Sequence, residues 1–333
     1  MADDLVFRDR FGIETFGDEG VLIDLATGSY FQLNGTATKV CLALQATDSS
    51  AEAAALVAAS LEIRAEQALS LVEAVRADLA KTPVRSPIAG PFRYKRQGDG
   101  YLLEDEGTPV LTIDGHGQWI RRASPGDALR FRLLDYVRGV TPKLLYLRGT
   151  PVLHASACVL SEGVTAFAGP SGAGKTTTAR AFAKAGRPLL AEDLLLLAPG
   201  HPTPTIALDG ERRAHDWADE TCSRLATFGE ADCDRLDSLL EGAATRSLDA
   251  IWFVDRSRRV GDSLQRRPLS PLEGALALMS NNFLGADDPE SWRRHARECY
   301  RISGFIGRWE LATPQGVERL VAAARAYATK TAS

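Results

Sequence analysis

The sequence predicts an α/β domain built around a phosphate-binding loop (P-loop), preceded by a small winged-helix-like module. Three observations lead to this two-part fold class. Residues 169–176 read Gly-Pro-Ser-Gly-Ala-Gly-Lys-Thr, between a short apolar segment and a helical one. Apolar runs at 152–159 and 187–197 have the composition of buried strands. Near the N-terminus, two short strands joined by a turn precede three helical segments.

The bulk composition is that of an ordinary globular protein. The chain has 333 residues, of which 45% are hydrophobic and 25% are charged, and its net charge is −4. This length suffices for two or three domains. The slight negative charge argues against nucleic acid as a partner, because nucleic-acid-binding proteins present a basic surface. Every apolar run is far shorter than the roughly 18 residues of a membrane span, so no membrane partner is expected.

Cysteine and histidine usage indicates a cytoplasmic protein without structural zinc. The five cysteines have no C-x-x-C spacing, and the five histidines lack the spacing of metal ligands. An odd number of cysteines and the lack of a signal peptide are typical of a reducing compartment. We therefore expect a cytoplasmic location.

Residues 10–82 predict the winged-helix-like module. Asn34 has the side chain of a good N-cap, and apolar residues at helical spacing follow it. The predicted elements are strands over 20–25 and 29–33, joined by a turn at 26–29, and helices over 36–45, from 49–50 onward and over 65–80.

Residues 83–100 predict a linker, because Pro83, Pro87 and Pro91 interrupt regular structure there. The α/β domain then occupies 101–330. Its first part is expected to contain strands within 101–124 and a helix over 127–138. The apolar run 144–148 enters the core ahead of the loop.

The loop has the complete phosphate-binding (Walker A) pattern. Its glycines let the backbone approach phosphate oxygens, and its N–H groups together with the following helix N-terminus form an anion site. Lys175 supplies a charge for the terminal phosphates, and Thr176 an oxygen for Mg²⁺. The cofactors are therefore predicted to be ATP and Mg²⁺; a glycine-rich turn without a ligand would leave Lys175 without a role. The predicted nucleotide-binding residues are Gly169, Pro170, Ser171, Gly172, Ala173, Gly174, Lys175, Thr176 and Thr177.

Two acids interrupt the apolar run 187–197. Glu192 and Asp193 would be costly inside a buried strand without partners or a function. Neighbouring strand residues point to opposite faces, so we expect the pair at a bend. Near a magnesium nucleotide, one carboxylate can hold the metal and the other can accept a proton. The alternative is a structural ion pair with Arg180 or Arg187.

Two further residues are candidates by position. His154 lies on the strand before the loop, where a core histidine and a catalytic one are both open interpretations. Asp255 ends an apolar run that imitates the metal-binding (Walker B) strand of nucleotide-binding proteins. The arginines that follow favour a capping role for Asp255 over a metal-binding one.

Residues 21–37, VLIDLATGSYFQLNGTA, resemble the PqqD family, whose members bind the leader segments of ribosomally made peptides. The resemblance implies that an extended leader pairs with the exposed hairpin edge and lays apolar side chains against the third helix. The alternative is that the module only packs on the other domain or makes dimer contacts.

His154, the loop and the acidic pair occur in an order that resembles the HPr serine kinase/phosphorylase family. The resemblance implies that family's C-terminal-domain fold. It also implies that Glu192 is the catalytic base supported by His154, and that Lys175 binds phosphate. Thr176 and Asp193 are the implied metal residues. The family has Asp-Asp where this chain has Glu-Asp, and the stretch that docks HPr is not found, so HPr is not the expected substrate.

Together the resemblances imply an ATP-dependent kinase that transfers the γ-phosphate to a hydroxyl, a serine above all, of a precursor peptide or other peptide recruited by the N-terminal module. Two alternatives stay open: a kinase for a free small molecule, and a nucleotide-gated protein that binds and delivers peptide. Reverse phosphorolysis and a homo-oligomeric state are also left open by the sequence.

Overall fold

The computed structural model describes residues 7–25, 29–47, 49–79, 92–123, 132–281 and 289–330. The chain divides into two compact units. The first comprises Met1–Pro87 with Ala286–Tyr300, and the second comprises Ile88–Gly285 with Arg301–Ser333. Within the described parts of the chain, every helix is too short or too polar to cross a bilayer.

The first unit contains a three-stranded antiparallel sheet in the order β1-β2-β3, followed by three helices. The hairpin and the helices match the sequence prediction, whereas β1 was not predicted. Residues 26–28 of the predicted turn lie outside the described residues. The elements are α1 (Phe7–Arg10), β1 (Phe11–Phe16), β2 (Glu19–Asp24), β3 (Ser29–Leu33), α2 (Gly35–Ala46), α3 (Ser50–Leu61) and α4 (Ala65–Leu79).

Capping and burial explain these elements. The Asn34 side chain accepts a hydrogen bond from the Ala37 backbone N–H, which starts α2 as the sequence predicts. Alternate strand residues, including Ile13, Leu22 and Phe31, form one core with the buried faces of the three helices. One face of the sheet is thereby covered by α2, α3 and α4.

The second unit is an α/β domain. Its strands are β4 (Phe92–Gln97), β5 (Gly100–Asp105), β6 (Thr108–Ile113), β7 (Trp119–Arg122), β8 (Val152–Leu160), β9 (Gly163–Ala168), β10 (Leu189–Ala191), β11 (Leu194–Leu196), β12 (Thr205–Ala207), β13 (Glu230–Asp232), β14 (Thr245–Ser247), β15 (Ala250–Val260), β16 (Gln265–Pro268) and β17 (Gly307–Pro314). Its helices are α5 (Leu133–Leu147), α6 (Lys175–Lys184), α7 (Gly210–Phe228), α8 (Pro271–Met279), α10 (Val317–Lys330) and the end of α9 (Pro289–Phe305).

A mixed sheet of seven strands positions the loop. Its order is β10-β8-β9-β15-β17-β16, and β11 also pairs with β8. The pairs β9–β15 and β15–β17 are parallel. Because the loop directly follows β9, it lies at the carboxyl edge of the parallel strands, where α/β proteins bind ligands. The predicted α/β fold class with a preceding small module is confirmed.

The second unit also contains an antiparallel sheet in the order β13-β7-β6-β5-β4 and the pair β12–β14. Strand β4 begins at Phe92, inside the segment predicted as a linker, and residues 80–91 lie outside the described residues. The run 144–148 does not form a separate element: it is the last turn of α5, which continues through Pro142. Burial of Leu144 and Leu145 outweighs the helix-breaking tendency of that proline.

Helix α9 contributes to the first unit through residues 289–300. Arg297 makes a bidentate ion pair with Glu14, at 2.8 and 3.0 Å, and the Tyr300 ring stacks on Phe16 at 4.2 Å. By strand alternation, Glu14 and Phe16 lie on the opposite face from Ile13. The three-stranded sheet is therefore contacted on its second face by a helix from the C-terminal part of the chain.

An aromatic cluster connects the loop strand to α6 and α10. Phe182, which is fully buried, lies 5.5 Å from Phe167, 5.9 Å from Trp252 and 5.9 Å from Tyr327, measured between ring centroids. We expect Phe182→Ala to lower the free energy of unfolding by about 3–5 kcal/mol, because it leaves a cavity that rigid neighbours cannot fill.

Denaturant unfolding followed by tryptophan fluorescence measures this change. Phe228→Ala is the matched control, since Phe228 is 75% exposed and its loss should change the free energy by less than about 0.5 kcal/mol. Equal effects of the two substitutions would contradict the assigned core.

Candidate functional site

The phosphate-binding loop has a backbone that requires glycine. Gly169 has φ +151°, and a Cβ there would lie 3.0 Å from the Val254 carbonyl oxygen and 3.1 Å from the Ala173 Cβ. Gly174 has φ +96° and is the N-cap of α6, which begins at Lys175. The loop therefore meets the N-terminus of a ten-residue helix, whose free N–H groups favour an anion.

Lys175 is held inside the loop. Its side chain is buried, and Nζ donates to the carbonyl oxygens of Gly169 at 2.9 Å and Pro170 at 3.4 Å. Burial lowers the pKa of the ammonium below its usual value, and the charge of Asp193 opposes that shift. The cation thus acts on both the loop and the nearby carboxylate.

The predicted bend at the acidic pair is present. Strands β10 and β11 both pair antiparallel with β8, and the strand is interrupted between them at Glu192 and Asp193. Consecutive N–H groups of a regular strand point in opposite directions. Here both N–H groups donate to one side chain, that of Glu211, so the backbone turns at this point.

Glu211, in the first turn of α7, was missed by sequence reasoning. Its carboxylate accepts hydrogen bonds from the backbone N–H groups of Glu192 at 2.8 Å, Asp193 at 2.8 Å and Leu194 at 3.2 Å. An acid in a first helical turn is ordinary, and only the tertiary fold brings it beneath the bend.

Glu192 is engaged at each of its polar groups. Its carboxylate forms a bidentate ion pair with Arg180, at 2.8 and 2.7 Å, and these hydrogen bonds hold its pKa below the usual range. Its carbonyl oxygen accepts from Ser156 Oγ at 2.6 Å and from Thr176 Oγ1 at 3.1 Å. The structure therefore shows the Arg180 alternative, and it does not place His154 against Glu192.

His154 contacts Asp193 instead. Nε2 of the ring lies 2.9 Å from Asp193 Oδ1. This hydrogen bond lowers the pKa of Asp193, burial opposes the shift, and the charges of His154, Lys175 and His215 add to the lowering. The Asp193 side chain is still 58% exposed, whereas the His154 side chain is 16% exposed. Asp193 is therefore the accessible carboxylate, and the histidine orients it.

The remaining predicted loop residues surround this network. Thr176 Oγ1 donates its hydrogen to the Glu192 carbonyl oxygen and lies 3.4 Å from Ser156 Oγ, so one lone pair of the oxygen can still bind a metal ion. Ala173 is buried under the loop, and the residues exposed around it are Pro170, Ser171, Gly172 and Thr177.

Asp255 has local partners. Its Oδ1 accepts from the backbone N–H of Ser257 at 2.8 Å and from the Ser257 hydroxyl at 2.7 Å. These bonds lie where the register of β15 against β17 shifts, and β15 continues to Val260, so Asp255 does not cap the strand as the sequence favoured.

A comparison with protein families matches residues 19–82 to the family described as Coenzyme PQQ synthesis protein D (PqqD). The first unit contains a PqqD-like domain. The match covers β2, β3 and the helices α2 to α4. It confirms the resemblance that residues 21–37 carry.

No curated protein matches the chain. Among solved structures, the chain is similar to the Hpr(Ser) kinase/phosphatase from Coxiella burnetii, with 13% sequence identity over 55% of this chain and 99% of that one, at a TM-score of 0.23. The Coxiella protein's name is that of the family which the order of His154, the loop and the acidic pair resembles. The TM-score is too low to transfer site geometry, so the contacts above carry the chemistry.

Glu211→Ala tests the support of the bend. Without the carboxylate, three backbone N–H groups lose their acceptor, and their hydrogen exchange should accelerate by about tenfold or more, because an unsatisfied group costs ~1–3 kcal/mol. Exchange at Glu192, Asp193 and Leu194 measures this. Glu211→Gln retains one acceptor oxygen, so its exchange rates should lie between those of the wild type and Glu211→Ala.

Glu220→Ala is the control on the same helix, since Glu220 bonds Arg235 away from the bend. Unchanged exchange at all three amides in Glu211→Ala would show that other groups hold the bend.

Proposed function

We propose that the protein is an ATP-dependent phosphotransferase that transfers the γ-phosphate to a hydroxyl, a serine above all, of a ribosomally made precursor peptide recruited by the PqqD-like domain. One observation carries the proposal. The phosphate loop and the bend that bears Asp193 share one hydrogen-bond network through Thr176, and Lys175 lies close enough to shift the pKa of Asp193.

The loop fits a magnesium nucleotide. Backbone N–H groups at the α6 N-terminus and the Lys175 ammonium would hold the phosphates, and Thr176 Oγ1 would hold Mg²⁺. Among the residues that the structure describes, no group of three or more His, Cys, Asp or Glu side chains forms a metal site, so phosphate oxygens would complete the ligand set. Bound Mg²⁺ would neutralise charge that develops on the phosphates.

Asp193 is the proton acceptor in this proposal, in place of Glu192. Its free carboxylate oxygen takes the proton of the acceptor hydroxyl while that oxygen bonds to the γ-phosphorus and the bond to the β-phosphate oxygen breaks, leaving ADP. His154 orients the carboxylate through the 2.9 Å hydrogen bond. Glu192, which is paired with Arg180, supports the bend. The sequence resemblance implied Asp193 as a metal residue, and in this proposal it is the proton acceptor.

The PqqD-like domain offers an edge for an extended peptide. Strand β3 ends the sheet order β1-β2-β3, and strand addition at that edge would use main-chain hydrogen bonds. The other edge is less available, because the Phe11 carbonyl oxygen in β1 already accepts from the Gln45 side chain at 2.7 Å. A bound leader would raise the local concentration of the acceptor segment.

Lys175→Ala tests the transferase. It removes the cation that faces the terminal phosphates, so formation of phosphopeptide should fall by about 10³-fold or more. Mass spectrometry of Ser-containing peptides encoded beside this gene, incubated with protein and Mg-ATP, measures the added phosphoryl group. Lys184→Ala, at the other end of α6, should keep the wild-type rate. ATP binding by the wild type without any phosphopeptide would instead favour the peptide-delivery alternative.

Leader dependence tests peptide recruitment on the unaltered chain. Removing the leader from an accepted peptide should raise KM by about 10²-fold or more with a smaller effect on kcat, because the tether supplies effective concentration and not chemistry. The free leader should inhibit the leader-bearing peptide competitively. A leaderless peptide or free amino acid that reacts equally well would support the small-molecule alternative.

A further inference from the structure

Glu192 connects the bend to the helix that follows the phosphate loop. Thr176 and Arg180 are four residues apart on α6 and therefore lie on the same face of that helix. Thr176 donates to the backbone carbonyl of Glu192, and Arg180 donates to its carboxylate through two bonds. The bend is thus attached to α6 at two points, while Glu211 of α7 holds its N–H groups.

We propose that Glu192 is a positioning residue, clamped by Arg180, which fixes the Asp193 carboxylate relative to the phosphate loop. This inference rests on the proposed function. Asp193 follows Glu192 directly, so any rotation of the Glu192 backbone moves the carboxylate that faces Lys175 and the acceptor. The clamp ties the Asp193 carboxylate to α6, whose N-terminus is the anion site. The proton acceptor and the bound phosphates therefore stay aligned with each other.

The exposure and geometry of the Arg180–Glu192 ion pair indicate that it orients the bend and adds little to the stability of the fold. The Arg180 and Glu192 side chains are 60% and 39% exposed, and ion pairs at such positions contribute little to the free energy of unfolding. The two hydrogen bonds of a bidentate pair, however, fix the orientation of the Glu192 carboxylate relative to the Arg180 guanidinium. A side chain one methylene shorter than Glu192 would reach less far toward Arg180 on α6.

Four variants test the clamp: Arg180→Ala, Glu192→Gln, their combination, and the reversed pair Arg180→Glu with Glu192→Arg. Each single change should lower kcat about 10- to 100-fold, with KM for ATP within about twofold, since misplacement and not lost binding is the defect. The double variant should be no worse than either single one, and the reversed pair should recover part of the loss. A fifth variant, Glu192→Asp, should have a kcat between those of the wild type and Glu192→Gln.

Arg224→Ala is the matched control. Arg224 forms an ion pair of similar exposure with Asp232, at 2.6 Å, outside the network of the bend. It should keep the wild-type kcat. Additive losses in the double variant, or a wild-type kcat in Arg180→Ala, would overturn the clamp.

The pH profile separates positioning from catalysis by Glu192. The hydrogen bonds from Arg180 hold the pKa of Glu192 low. In Arg180→Ala that pKa should rise, so Glu192 should take up a proton at a higher pH than in the wild type. If Glu192 were the base, the acid limb of kcat would move to higher pH and Glu192→Gln would abolish transfer; that result would overturn the proposal. With the clamp, the acid limb stays in place while kcat falls.

Hydrogen exchange tests the clamp independently of turnover. In Arg180→Ala, exchange at the Asp193 and Leu194 amides should accelerate, because the bend has lost one attachment. Unchanged exchange at both amides would overturn the clamp, whether or not the wild type forms phosphopeptide. A wild type that forms no phosphopeptide would contradict the proposed phosphotransfer alone.

Discussion

The candidate site depends on a two-residue bend that is held from three directions. Strand β8 lies on one side through Ser156, α6 on another through Thr176 and Arg180, and α7 beneath it through Glu211. A buried strand would normally satisfy its backbone with its neighbours. Here the single side chain of Glu211 takes over that task for three consecutive N–H groups. The departure from regular pairing is what presents Asp193 at the loop.

The same bend gathers three carboxylates, each stabilised in a different way. Glu192 has a guanidinium partner, Asp193 has a histidine and the nearby ammonium of Lys175, and Glu211 has backbone N–H dipoles. Like charges this close would raise one another's pKa values if they lacked such partners. The pKa values of both Glu192 and Asp193 are lowered instead. Two ionised acids can therefore coexist beside an anion-binding loop, with different tasks.

Local patterns predicted the elements that local chemistry determines. The glycine loop, the strand before it, the helix after it and the bend at the acids all follow from residues adjacent in sequence. The PqqD-like domain was also predictable, because its hairpin and first helix share one string. The pairing of His154 was not, since it depends on which residue of the bend faces β8 once the backbone turns.

Contacts between distant segments were beyond the sequence. Glu211 is 18 residues from Asp193, and nothing in its surroundings distinguishes it from any acid that begins a helix. The sequence predicted a helix over 127–138 and a separate run at 144–148, whereas α5 continues to Leu147 because Leu144 and Leu145 are buried. Helix α9 escaped notice for a related reason, since it packs on residues far away in the chain. Strand β1 was also missed, although it pairs with the adjacent strand β2.

The attachment of α9 to the three-stranded sheet also affects how the protein is made. Ribosomes add roughly 5–20 residues per second, and N-terminal domains usually fold first. Tyr300 is synthesised about 280 residues after the β1–β2 hairpin, so one sheet face waits on the order of 15–55 s for its covering helix. During that interval Val21 and Ile23, which are buried in the finished chain, lack that cover. The nascent PqqD-like domain thus leaves one apolar sheet face uncovered until α9 has been synthesised.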